Sequence, residues 1–168
     1  DPETFWRAGE EDGKFHWPAG IALDKDENVY VSDEWHHRIS IFDTNGTFLT
    51  KWGTPGMSPG QLRGPSGLAF DQNDNLYIVD SRNHRVQQFT KSGLLLNKWG
   101  SYGSGNGEFN TPWGITVDAA GDVYVADWKN GRVQKFSPEG EYLASFGGPG
   151  TGDGELLSPS GVAIDEEG

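Results

Sequence analysis

Apolar residues in this chain gather into short runs, and none keeps helical spacing for the roughly 10 to 12 positions that a helix needs. Gly20-Ile-Ala-Leu-Asp24 and Asn28-Val-Tyr-Val-Ser32 are β-branched and aromatic runs parted by the turn-rich Lys25-Asp-Glu27, which predicts a hairpin. Arg38-Ile-Ser-Ile-Phe42 and Thr47-Phe-Leu-Thr-Lys-Trp52 predict a third and a fourth strand, after Glu34-Trp-His-His37 and Asp43-Thr-Asn-Gly46. The second run and its later counterparts, Leu76-Tyr-Ile-Val79 and Val123-Tyr-Val-Ala126, are apolar on successive positions, so both faces of these strands need cover. The expected unit is a four-stranded, all-β sheet with neighbours on each side.

The unit recurs. Pro18-Ala-Gly-Ile-Ala-Leu-Asp24 returns as Pro65-Ser-Gly-Leu-Ala-Phe-Asp71, Pro112-Trp-Gly-Ile-Thr-Val-Asp118 and Pro159-Ser-Gly-Val-Ala-Ile-Asp165, always 47 residues on. The same step links Gly13, Gly60, Gly107 and Gly154, and it links Phe42, Phe89 and Phe136. A fixed period of this size marks a repeat architecture, and four-stranded sheets that cover each other's faces around an axis make a β-propeller. Blade repeats are expected at 18–64, 65–111 and 112–158, with partial repeats at 1–17 and 159–168. The whole of 1–168 then forms one propeller segment of three full blades and parts of two more. Trp52, Trp99 and Phe146 close the successive fourth strands and are expected to fill the wide outer gap between blades.

These residues also carry a resemblance. Val29-Tyr-Val-Ser-Asp33 followed by His36-His-Arg-Ile39, Leu76-Tyr-Ile-Val-Asp80 followed by Asn83-His-Arg-Val86, and the linking Gly107-Glu-Phe-Asn-Thr-Pro-Trp-Gly114 are similar to the NHL repeat. The tripeptide that names the repeat corresponds to His36-His-Arg38, Asn83-His-Arg85 and Asn130-Gly-Arg132. The resemblance implies a parent ring that is usually six-bladed, with the Gly20–Asp24 strand and its copies lining the channel and the Trp52 strand outermost.

Composition narrows the function. The 168 residues are 34% hydrophobic and 12% aromatic, enough for a packed core. No apolar stretch is long enough for a membrane helix, and no basic, apolar leader opens the sequence. With 25 acidic against 13 basic residues, the net charge of −12 repels polyanions, so neither nucleic acid nor a membrane is an expected partner. Lys51, Arg63, Lys91, Lys98 and Lys129 are scattered among the acids, against an RNA-binding role such as the tripartite-motif branch of the family implies. There is no cysteine, hence no disulfide or thiolate metal site, and nothing that assigns a compartment. Asn45-Gly-Thr47 is a glycosylation acceptor only in a secreted eukaryotic protein.

Asp33/Arg38, Asp80/Arg85 and Asp127/Arg132 repeat at one spacing, and each pair is expected to close its loop by a charge-assisted hydrogen bond. A catalytic acid is needed once whereas a building device is needed in every blade, so these pairs read as structural. Asp24-Lys-Asp-Glu-Asn28 opens like a calcium loop but has Val29 where glycine belongs and Trp35 where a bidentate glutamate belongs. The glycine-rich Gly103–Gly107 and Gly148–Gly154 lead into strands and not into phosphate-binding helix N-termini, so they read as blade connections. What varies is the loop after the second strand: Glu34-Trp-His-His37, Ser81-Arg-Asn-His84 and Asp127-Trp-Lys-Asn130. Variable loops on a rigid scaffold are where binding residues concentrate, which makes Trp35, His36, His37, Arg82, Asn83, His84, Trp128, Lys129 and Asn130 the candidates.

The expected function is therefore a non-catalytic binding or scaffold propeller for a protein, peptide or glycan, without metal or cofactor. The alternative is a propeller lyase or hydrolase, because the resemblance extends to the peptidyl-hydroxyglycine amidating lyase, whose channel histidines hold zinc. The matching positions here are Ala19, Ser66, Trp113 and Ser160, with His16 the one histidine near that rim, so a metal site would need blades outside this chain. The ragged ends, Phe5-Trp-Arg7 at an outer-strand position and a last copy cut at Gly168, lead to the expectation of a fragment of a longer propeller or of self-association that covers the end faces.

Overall fold

The computed structural model describes residues 11–150, 152–154, 156 and 159–165; Phe5-Trp-Arg7 lies outside them. Three antiparallel sheets follow one another: β1 Pro18–Leu23, β2 Val29–Asp33, β3 Arg38–Phe42 and β4 Phe48–Trp52; β5 Pro65–Phe70, β6 Leu76–Asp80, β7 Arg85–Phe89 and β8 Leu95–Trp99; β9 Pro112–Val117, β10 Val123–Asp127, β11 Arg132–Phe136 and β12 Tyr142–Gly147. Each sheet is ordered as it runs in the chain, so every connection within it is a hairpin. There is no α-helix among the described residues, only short 3₁₀ turns at Ser81–Asn83 and Trp128–Asn130. β1 starts two residues before the expected Gly20 and ends before Asp24. That carboxylate instead accepts from the Asp26 and Asn28 N–H groups, as do Asp71 and Asp118 in the next two turns.

The sheets pack face on face with β1, β5 and β9 innermost. Here the repeated Pro-x-Gly finds its physical reason. Each of these strands carries a register shift near its start, and the glycine lets the next blade's backbone come close. A Cβ on Gly67 would stand 2.5 Å from the Trp113 carbonyl oxygen; one on Gly20 or Gly114 would collide with the carbonyl of Ser66 or Ser160. Serine hydroxyls tie the hub, Ser32 Oγ donating to Ser66 O at 2.6 Å and Ser66 Oγ to Trp113 O at 2.9 Å.

Between the first two blades, Tyr30, Ile39, Ile41 and Trp52 meet Leu62, Leu68, Leu76, Ile78 and Phe89; between the second and third, Tyr77, Val79, Val86 and Trp99 meet Phe109, Ile115, Val123, Val125 and Phe136. Trp52 wedges against Phe89 and donates from Nε1 to Lys91 O at 2.9 Å. In the next interface the matching carbonyl, Pro138 O, accepts from Tyr77 Oη at 2.9 Å, and Trp99 Nε1 is left buried without a partner. Burying an aromatic of this size contributes about 2 to 3 kcal/mol from apolar area. On the outward face of the first blade Ile21 is 67% exposed, whereas Leu68 and Ile115, the same position one and two repeats on, are 6% and 8% exposed beneath the preceding blade.

Candidate binding face at the loop end of the blades

The β2–β3, β6–β7 and β10–β11 loops gather at one end of the blades, together with the linkers that carry each outer strand to the next inner one. In the second blade Arg85 Nε meets Asp80 Oδ2 at 2.7 Å, and its Nη atoms donate to the carbonyls of Met57, Ser58 and Gln61. In the third, Arg132 Nε meets Asp127 Oδ2 at 2.9 Å and donates to Gly105 O and Glu108 O. Each arginine thus clamps the incoming linker, with Gln87 or Gln134 completing the network between the same carboxylate and the linker backbone.

The first blade departs from the expected pairing. Asp33 and Arg38 face each other in register, but Arg38 Nη2 donates to Glu11 O and Lys14 O, and no bond joins it to Asp33. The Asp33 carboxylate is held by the N–H groups of His16, Trp17, Trp35 and His36, with His36 Nδ1 at 3.0 Å. Ser40 occupies the place of Gln87 and is too short to reach, so its buried Oγ has no hydrogen bond. Electrostatics follows: burial pushes the Asp80 carboxyl above its ordinary pKa despite Asn83, the Arg63 N–H and Arg85. Burial pushes Asp33 up as well, but its backbone donors and His36 outweigh that and hold it below the ordinary value.

The candidate loop residues divide into two groups. Asn83 Nδ2 donates to Asp80 Oδ2 and to Gly56 O; Asn130 Nδ2 donates to Asp127 Oδ2 and Gly103 O. His37 and His84 adopt left-handed backbone conformations, with φ of 55° and 52°, and each Nδ1 accepts the N–H of a linker residue, Gly64 or Thr111, at 2.9 Å. Burial holds both imidazoles below their ordinary pKa; for His37 the charges of Arg82 and Arg63 add to it, and for His84 that of Lys129. The His36 side chain is buried beside His16 and Asp33. These five residues build the scaffold.

Trp35, Arg82 and Lys129 are exposed and lie one repeat apart, so they form an arc around the hub. The third loop is thereby shifted by one residue from its expected alignment, Trp128 matching Glu34 and Ser81. Trp35, 51% exposed, stacks on His16 at 4.9 Å. Arg82 Nη2 meets Glu34 Oε1 at 3.0 Å. Trp128 lies edge to face with Trp113 at 6.2 Å, under the Lys129 ammonium. Trp113 was absent from the candidates; its place beside Trp128 depends on the pairing of β9 with β10. Among the described residues no three histidine or carboxylate side chains converge as a metal-ligand set.

Stacked four-stranded antiparallel sheets of this kind define a β-propeller protein. The chain belongs to the NHL repeat family: the repeat matches residues 15–42, 62–89 and 109–136, half of the sequence. The RING finger protein nhl-1 of Caenorhabditis elegans is 39% identical over 53 residues, 32% of this chain and 5% of that protein. Protein lin-41 of the same nematode is 40% identical over 48 residues, 29% of this chain and 4% of its own. The chain therefore spans a small part of these relatives. Virginiamycin B lyase from Staphylococcus aureus shares the fold with a TM-score of 0.70 at 15% identity, over 96% of this chain and 49% of the lyase.

Proposed function

We propose that the protein is a non-catalytic binding or scaffold propeller whose loop end, centred on Trp35, Arg82, Trp128 and Lys129, engages a protein, peptide or glycan. One observation carries this reading. The arginine, asparagine and linker contacts recur between the second and third blades, while the exposed position above the blades changes from tryptophan to arginine to lysine. A scaffold that repeats beneath a surface that does not is the arrangement of a recognition module. NHL repeats commonly mediate protein interactions, which agrees with it.

The test is capture of partners by the intact protein and by a Trp35→Ala/Trp128→Ala variant, with Leu49→Ala on the outermost strand as the control. Partners held by the wild type and the control but lost by the double variant support the reading; equal capture by all three contradicts it. A second reading, a lyase, draws on the fold shared with virginiamycin B lyase. Metal-dependent turnover of virginiamycin B that survives the Trp35→Ala/Trp128→Ala change would favour it.

A further inference from the structure

The loop end brings three cations, Arg63, Arg82 and Lys129, close to a pair of indoles. The chain has 25 acidic and 13 basic residues, and elsewhere several cations find a carboxylate: Lys91 pairs with Asp74 at 2.8 Å, Lys51 with Asp12 at 2.6 Å and Lys135 with Asp122 at 3.5 Å. At the loop end Arg63 is exposed with no acidic partner among the described residues, and the Lys129 ammonium lies over the Trp128 ring with no ion pair among them. The Arg82 backbone N–H donates to Arg63 O, which sets the two residues side by side, and the Arg82 side chain has Glu34 as its one acid among the described residues. The carboxylate beside these two residues, Glu34, is engaged by Arg82 alone among the described residues. Burial and then the charges of Arg82 and Arg63 hold the half-buried His37 imidazole below its ordinary pKa, which sets both arginines near it. Beside them, Trp113 and Trp128 present an indole pair at the head of β9, where Ser66 anchors the Trp113 carbonyl.

We propose that this end receives an acidic peptide segment of a partner protein, with one carboxylate at Arg63 and Arg82, a second at Lys129, and an apolar side chain against Trp113 and Trp128. This rests on the loop-end reading above and names the partner's chemistry. A guanidinium matches a planar carboxylate, and the partly exposed indoles supply the apolar contact that an interface needs at its centre. A nucleic acid fits less well, because its phosphates would extend beyond this small cationic arc over a surface of net charge −12.

The experiment is fluorescence anisotropy of the intact protein with three labelled octapeptides, alternating Glu/Leu, Gln/Leu and Lys/Leu, and with a uridine oligonucleotide. The Glu/Leu peptide is expected to bind at least about ten-fold more tightly than the others. That preference is expected to vanish in Arg63→Glu/Lys129→Glu and at about 0.5 M salt, and to survive in Lys98→Glu on the outermost strand. Equal or tighter binding of the Gln/Leu or Lys/Leu peptide or of the oligonucleotide overturns the acidic-peptide proposal. If that binding is still lost in Trp35→Ala/Trp128→Ala, the loop-end reading stands. Binding that none of these variants alters, or no binding of any probe, overturns both.

Discussion

Replacing Gly67 by alanine tests why each repeat carries glycine two residues after proline. Gly67 has no left-handed φ, so the substitution does not strain the backbone itself; the obstacle is the neighbouring blade. The new Cβ would lie 2.5 Å from the Trp113 carbonyl oxygen and 3.1 Å from both Gly114 Cα and Ile115 Cγ2. Ordinary contact requires close to 1 Å more from the carbonyl, and the obstructing atoms are mostly backbone, so β9 must move bodily away from β5. Overpacking of this kind costs about 1 to 3 kcal/mol, and the upper end is expected because the Ser66–Trp113 hydrogen bond stretches with it. For a chain of this size that lowers the thermal midpoint by about 4 to 10 °C. Gly161 provides an internal control: it holds the same repeat position, yet a Cβ there meets nothing within 4 Å. Thermal and urea unfolding of Gly67→Ala and Gly161→Ala, followed by circular dichroism, are expected to show a marked loss for the first and a change within about 0.5 kcal/mol for the second. Equal midpoints for the two variants would refute the close-approach argument.

Trp52→Ala is expected to cost about 3 kcal/mol, since it empties the wedge against Phe89 and orphans Lys91 O, whereas Phe146→Ala, at a position 49% exposed, is expected to cost under about 1 kcal/mol; urea unfolding of the pair measures the difference. His37 and His84 bind protons less readily folded than unfolded, so their contribution to stability is present above about pH 6.5 and is lost as the pH falls through their depressed folded values. The wild type is therefore expected to lose stability as the pH falls below about 6.5, and His37→Asn/His84→Asn, whose asparagines tolerate left-handed backbone, to lose less over that range; unfolding midpoints across pH would show parallel curves if the argument were wrong.

The strands were legible because their signals are local. Turn-forming Asp24, Asp43 and Asp71 bracket the β-branched runs, and a one-residue slip would expose Tyr30 and Ile39, which are buried. The propeller followed from the constant step of 47 residues. Less was legible at the loop end. That His37 and His84 are acceptors for linker N–H groups depends on contacts 27 residues apart, and nothing in a turn sequence announces them. The missing Asp33–Arg38 bond had a faint signal, since Gln87 and Gln134 correspond while Ser40 does not. Trp113 escaped notice because it sits in an inner-strand motif, read for structure, and meets Trp128 only through the sheet.

The central claim is that recognition occurs at the loop end above a scaffold already fully engaged in holding the blades together. Indole N–H resonances report on it directly, in a titration with whichever octapeptide binds most tightly. The signals of Trp35, Trp113 and Trp128 are expected to move while those of Trp52 and Trp99, wedged between blades, stay in place; movement at Trp52 and Trp99 with the other three unchanged would contradict recognition at the loop end.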